Sequence, residues 1–411
     1  MSSDSLTLTE RLTVHLMRPV DAASRDLARM HLLDWLGCVG AARRSPLASK
    51  LRGEPALERA AWLGNLMEMD DVHRGAILHP GPVVWPTALL SGVRDMGVLL
   101  DAAVRGYEAM IAIGATFDAR HYAFFHISAT AGGFGAAATA ASLNDATPDD
   151  YVAAFGLAGS VAGGLWQMRR EPNDAKQWHI VQAVETGLRA ARLAAQGVTG
   201  PRAILDGPLG LHAATCDAPR PLMLGDRWRI EEVSFKPWGA CRHAHPAIEA
   251  ALELKRRGQL LGAIEVATYA DAITFCDRQT PSSVIEAKFS LQHAVAIVTE
   301  RGEPTLTDFE PDSFDALADA RAHVTVREDA GFTARYPAHF GASVRSERGE
   351  VVLIDTLGDP ERPMNRDAIV AKARALLAWG GVDGAGIDAA LAAALDSNDP
   401  DEARAWIAAW A

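Results

Sequence analysis

The sequence predicts a mainly α protein: an all-helical domain, built from both chain ends, with an inserted α+β lid domain. Three observations predict it. Through the first half, apolar residues recur at helical spacing in stretches rich in Ala, Leu, Arg and Glu. Strand-like runs are nearly absent until about residue 228 and then recur up to about residue 354. After Pro363 the texture is helical again. The expected boundaries are 1–234 plus 361–411 for the helical domain and 235–360 for the α+β domain.

In chain order, the spacing predicts helices over 6–18, 21–41, 86–115, 128–143, 148–166, 178–197 and 246–257. Asp21 marks one start, Asp149 and Asp150 after Pro148 another, and Pro246 suits a first helical turn. Short alternating or apolar runs predict strands over 227–230, 264–269, 322–326 and 351–354, with a further helix over 291–301. Helices over 366–378 and 399–410 close the chain. Gly133 to Ala138 formally spell the dinucleotide pattern GxGxxA, but no βαβ unit surrounds them, so close helix packing is the reading adopted.

Composition narrows the partners. At 49% hydrophobic and 22% charged, the 411 residues read as a globular protein with a substantial core. A net charge of −12 argues against nucleic acid or an anionic membrane as partner. Cys38, Cys216, Cys241 and Cys276 are scattered without a CxxC pair, which predicts reduced thiols and no zinc ribbon or redox dithiol. Residues 1–5 are polar, with no signal-like apolar core, so a cytoplasmic location is expected.

The chemistry-bearing residues fall in a few short segments. Glu68, Asp70, Asp71, His73 and His79 lie within a dozen residues, flanked by apolar Trp62-Leu63 and Val83-Val84-Trp85. Burying so many ionisable groups is costly without a purpose. A helix end running into solvated loop is the plain alternative. Mixed carboxylates and imidazoles also suit a divalent metal, but the spacing fits no metal motif. Lys176 and His179, three apart, share a face if helical. Arg242, His243 and His245 precede a helix whose N-terminus adds positive potential, an arrangement that holds carboxylates. His126 opens the small-residue stretch 129–141 and is readable either as a core histidine or as a site residue.

In order along the chain, these segments resemble the MmgE/PrpD family of 2-methylcitrate dehydratases, cis-aconitate decarboxylases and an iminodisuccinate epimerase. The resemblance rests on the Glu68–His73 run, Phe125-His126-Ile127-Ser128, Ala175-Lys176-Gln177-Trp178-His179, the Phe235–Pro246 segment, Ala287-Lys288-Phe289-Ser290-Leu291 and Gly358-Asp359-Pro360. It implies an all-α body, an α+β lid with the active site between them, a homodimer, and metal-free, cofactor-free chemistry. On these matches Glu68, His79, His126, Lys176 and His245 are expected to be catalytic. Asp70, His73, His179, Arg242 and His293 are expected to bind a small di- or tricarboxylate. The expected activity is a dehydratase-type lyase working by α-proton abstraction, with decarboxylation or epimerisation as alternatives. A non-catalytic carboxylate binder is a further one. Many members read Asp-Phe-Asp-Asp-Thr where this chain has Glu68 to Val72, and Tyr where it has His293. Those lost hydroxyls argue against 2-methylcitrate itself as substrate.

Overall fold

A computed structural model describes residues 6–171 and 173–411; residues 1–5, expected to be polar, lie outside them. The fold is mainly helical with one small mixed sheet. The described chain divides into a helical unit, up to Val233 and again from Asn365, and an α+β unit, Ser234–Met364. Residues 361–364, expected with the closing helices, group with the insert. The physical reason is Arg362: it exchanges backbone hydrogen bonds with Gly358 and Asp359 and pairs with Glu249 at 2.6 Å, which ties this stretch to the α+β unit.

At the centre of the helical unit, Gly132–Leu143 packs between Met96–Gly114 and Ala175–Ala194. Its run of Gly and Ala makes that approach possible. A Cβ on Gly135 would sit 2.7 Å from Met110 Cβ and 3.1 Å from the Gly106 carbonyl oxygen. The GxGxxA string is therefore a helix-packing surface, as read from the sequence. Ala22–Ala42 lies against Arg366–Trp379, so the C-terminal helices complete the same core.

Several expected elements differ. The long helix over 86–115 is two, Gly81–Leu90 and Met96–Gly114, parted at a left-handed Gly92 and restarted by Asp95, whose side chain caps Val98. The helix expected over 148–166 ends at Gly159, and a 3₁₀ turn follows at Trp166–Arg170. The strand expected over 227–230 is instead a 3₁₀ turn, Arg229–Glu232. Buried Glu108 accepts the Arg229 backbone N–H at 2.8 Å, and Arg229 reaches Glu232 at 3.0 Å, pairings that favour a turn over an extended run. The helices Ala56–Leu63 and Gly384–Leu395 were not among those expected.

In the α+β unit, β1 (Ile264–Thr268), β2 (Val324–Glu328), β3 (Ala342–Ser346) and β4 (Gly349–Leu353) form a sheet of order β2-β1-β3-β4. β1 and β2 run parallel, joined through helices including Leu291–Arg301, while β3 is antiparallel to both β1 and β4. His245–Arg256 packs on β3 and β4, and Leu291–Arg301 packs beside it; Val266, Val344 and Ile297 belong to this second core. β3, with only Val344 β-branched, was not predicted. Among the described residues no helix is long and apolar enough to cross a membrane, and all four cysteines are free thiols.

Candidate active site

In the helical unit the acidic run is a buried, tightly held turn. His73 and Leu78 exchange backbone hydrogen bonds of 2.8 and 3.3 Å, folding 73–78 back on itself. Adjacent Asp70 and Asp71 go opposite ways. Asp71 accepts the Gly81 N–H at 2.9 Å and the Tyr107 hydroxyl at 2.6 Å, and lies 2.9 Å from His31 Nδ1. Burial pushes its pKa up, but these partners prevail and hold it below the usual carboxylate value. Asp71 is thus a structural hub. From the C-terminal part of the unit, Lys372 pins the same turn, donating to the Met69 carbonyl at 2.6 Å and pairing with buried Asp34 at 2.6 Å.

Asp70 is placed differently. Its Oδ2 is 2.8 Å from His79 Nδ1, which also lies 2.9 Å from the Asp71 carbonyl oxygen. Nδ1 donates to the Asp71 carbonyl, so Nε2 keeps its lone pair, while the buried Asp70 oxygens form no hydrogen bond and bear on the ring through charge alone. The His79 backbone N–H donates to Ser128 Oγ at 3.0 Å, which fixes the histidine from behind. An imidazole held through Nδ1 in this way can act as a base through Nε2.

Glu68 adopts a left-handed backbone conformation (φ 55°), uncommon for a non-glycine residue, and its buried carboxylate pairs with Lys176. Helix Ala175–Ala194 begins just before Lys176, so Lys176 and His179 project from its first turns on one face. His179 Nδ1 lies 3.3 Å from His126 Nδ1, and the His126 ring rests 4.7 Å from Trp166. Burial, with Lys176, His179 and His79 close enough to act on it, pushes the His126 pKa well below the ordinary imidazole value despite Glu68. Burial also lowers that of His179. Both imidazoles are neutral at neutral pH, so of two facing nitrogens 3.3 Å apart one donates and the other accepts. A cleft of about 660 Å³ lies beside His179, lined by Ala129, Gly164, Leu165, Met168, Trp178 and Ala183. That volume suits a small molecule.

Glu68, Asp70, His79, His126, Lys176 and His179 therefore gather in one place. His73 does not join them with free nitrogens. Its Nδ1 accepts the Ala76 N–H at 3.0 Å, so Nε2 is the donor to Glu232 at 3.0 Å, and both sides serve the turn.

In the α+β unit, buried Arg242 is engaged more fully than a free carboxylate clamp would be. It pairs with Asp359 and donates to the Leu357 carbonyl at 3.1 Å and to His245 Nδ1 at 3.0 Å; its buried Nε has no partner. His245, fully buried, gives its other nitrogen to the Ala240 carbonyl at 3.1 Å, so it supports Arg242 rather than presenting an open imidazole. His243 is enclosed by Phe275 and Phe340 and bonded to the Tyr269 hydroxyl at 2.5 Å. His293 lies in the core of this unit. Its Nε2 is 2.9 Å from the Asp308 carbonyl oxygen, and its Nδ1 accepts from Arg321 at 3.2 Å. Burial lowers its pKa to about 4.

The sequence reading missed His31, Asp34, Tyr107 and Lys372. One signal was available: His31 and Asp34, three apart, are polar positions inside the otherwise apolar run Met30 to Gly37.

Residues 56–222 match the MmgE/PrpD N-terminal domain and residues 238–396 the MmgE/PrpD C-terminal domain. The chain belongs to the MmgE/PrpD family, a family of dehydratase- and decarboxylase-type enzymes. Within it, a curated relative is the cis-aconitate decarboxylase-like protein oryM of Aspergillus oryzae. The chain is 28% identical to it over 213 residues, which are 46% of this chain and 44% of that protein.

Proposed function

We propose that the protein is a cofactor-independent, dehydratase-type lyase acting on a small di- or tricarboxylate. The observation that carries this reading is the His79 imidazole, oriented through Nδ1 by the Asp71 carbonyl beside the buried Asp70 carboxylate, in the same cluster as Lys176 and the neutral His126–His179 pair. In this reading Nε2 of His79 removes the proton α to a carboxylate. The electron pair moves into that carboxylate, and Lys176 offsets the developing enediolate charge. The β-hydroxyl then leaves as water, taking the proton that His79 Nε2 removed, and the alkene forms. Glu68 keeps Lys176 in place in the absence of substrate.

Arg242, expected to bind substrate, and His245, expected to be catalytic, are assigned to each other and to Asp359 within the α+β unit. His73 and His293, expected to bind substrate, are assigned structural roles, because the protein already occupies both ring nitrogens of each.

The relative named as cis-aconitate decarboxylase-like supports a second reading. There the carboxylate leaves as CO₂ and its electron pair is protonated at the same carbon by a proton drawn from solvent through His79. Incubating the protein with 2-methylcitrate, citrate, cis-aconitate, alkylmalates and iminodisuccinate separates the possibilities. Alkene or hydrate formation selects the lyase, CO₂ the decarboxylase, and exchange with inversion alone an epimerase. Ligand-dependent thermal stabilisation without turnover of any acid would select a carboxylate binder instead. Prolonged chelation is expected to leave turnover unchanged.

A further inference from the structure

The cleft of about 660 Å³ beside His179 has a volume typical of sites for drug-sized ligands, more than a bare di- or tricarboxylate requires. Its lining includes the apolar side chains of Ala158, Val161, Leu165, Met168, Trp178 and Ala183. Among the described residues that line it none is Lys or Arg, and the one acid is Glu171. A carboxylate placed there would meet a like charge and no cation. The cleft is fitted to an uncharged part of a ligand.

Val161, Leu165 and Trp178 are 69%, 57% and 45% exposed, so apolar surface stands open around this concavity, as it does in ligand grooves. Trp178 is backed by Trp62, with ring centroids 5.5 Å apart. Gly163 leaves room, since a Cβ built on it would meet no atom within 4 Å. This wall is tied to the reacting cluster. The Gly163 carbonyl accepts the Thr130 hydroxyl at 3.1 Å, and the Gly164 carbonyl accepts the His126 N–H at 2.8 Å.

We propose that the cleft takes an aliphatic substituent of the substrate, which is then a carboxylic acid bearing an unbranched alkyl chain of several carbons. This rests on the reaction proposed above: Lys176 takes the carboxylate, and the chain runs past His179 between Trp178 and Leu165. Seating the chain covers the open apolar side chains, and the gain grows with chain length.

The test titrates the full chain calorimetrically with methyl-, butyl-, hexyl- and octylsuccinate, which carry two carboxylates and no hydroxyl to eliminate. Kd should fall by about threefold to fourfold for each added methylene until the chain outgrows the cleft. Gly163→Leu, which fills the open space, should cut the hexyl-to-methyl affinity ratio at least tenfold. Val161→Asp, at an exposed position, should lower the same ratio by putting a charge on the chain's path. Lys176→Ala should weaken all four acids alike, so failure at the carboxylate end is seen apart from failure in the cleft. Equal Kd across the series, or a ratio that neither cleft variant lowers, would overturn the proposal while leaving the carboxylate reading standing. Failure of all four acids to bind would overturn both.

Discussion

Asp70 and Asp71 show what single residues contribute and where sequence reasoning stops. Both carboxylates are buried neighbours; one sets its charge against His79, while the other is held by Tyr107, Gly81 and His31. The acidic run itself was legible, because so much buried charge needs a purpose. Which carboxylate faces the imidazole was not, since that depends on helices Ala22–Ala42 and Met96–Gly114 supplying partners for Asp71. The same logic separates His126 and His179, which meet each other, from His73 and His293, whose nitrogens are consumed by local partners that no spacing reveals. Two predictions belong here. Asp70→Asn should lower kcat by roughly a hundredfold or more, with little change in KM, because it removes the buried negative charge that stabilises the His79 imidazolium formed on proton abstraction. Lys176→Ala should weaken carboxylate binding by about tenfold to a hundredfold, read as KM or as a Kd for a non-reacting dicarboxylate. Near-parent kinetics in both variants, with intact circular dichroism, would remove these residues from the reaction.

Secondary-structure elements were legible where periodicity was long and unbroken, as for Arg366–Trp379 or Leu291–Arg301. They were lost where tertiary partners decide. Arg229–Glu232 turns because Glu108, more than a hundred residues earlier, takes its backbone N–H. β3 is short and half polar, and its place is fixed by pairing with β1 and β4. Two glycines give the element-scale predictions. At Gly81 a Cβ would come 2.8 Å from the Asp71 carboxylate and 2.9 Å from the Tyr107 hydroxyl. Gly81→Ala should therefore loosen the acidic turn and lower turnover as well as stability. Gly135→Ala, on the packed helix face, should cost about 1–3 kcal/mol by overpacking, measured by urea denaturation. Gly53→Ala, where a Cβ meets nothing within 4 Å, serves as the control. Equal stability of the two variants would contradict the packing account.

At the scale of the whole molecule, the two-part organisation was legible from the change of texture near residue 228. Its end was not, because residues just past 360 stay with the insert through Arg362, which bonds to Gly358, Asp359 and Glu249. The buried histidines predict how global stability depends on pH. Burial lowers the pKa of His121 and His293 to about 4, and lowers those of His73, His126, His179 and His212. Between about 4 and the unperturbed 6.5 the unfolded chain binds more protons than the folded one, so stability falls as pH drops through that window. The Tm should be nearly flat above pH 7 and decline steadily from 6.5 towards 4; a Tm unchanged down to pH 4.5 would contradict this. The central claim, α-proton abstraction from a carboxylate by the His79 cluster, is tested most directly by proton NMR in D₂O. The carboxylate panel is incubated with the parent protein and with Asp70→Asn. The account predicts deuterium exchange next to a carboxylate in at least one acid, with alkene or hydrate formation exceeding CO₂ release, and strong suppression of exchange in the variant. Absence of exchange across the panel, or exchange that Asp70→Asn leaves untouched, would contradict it.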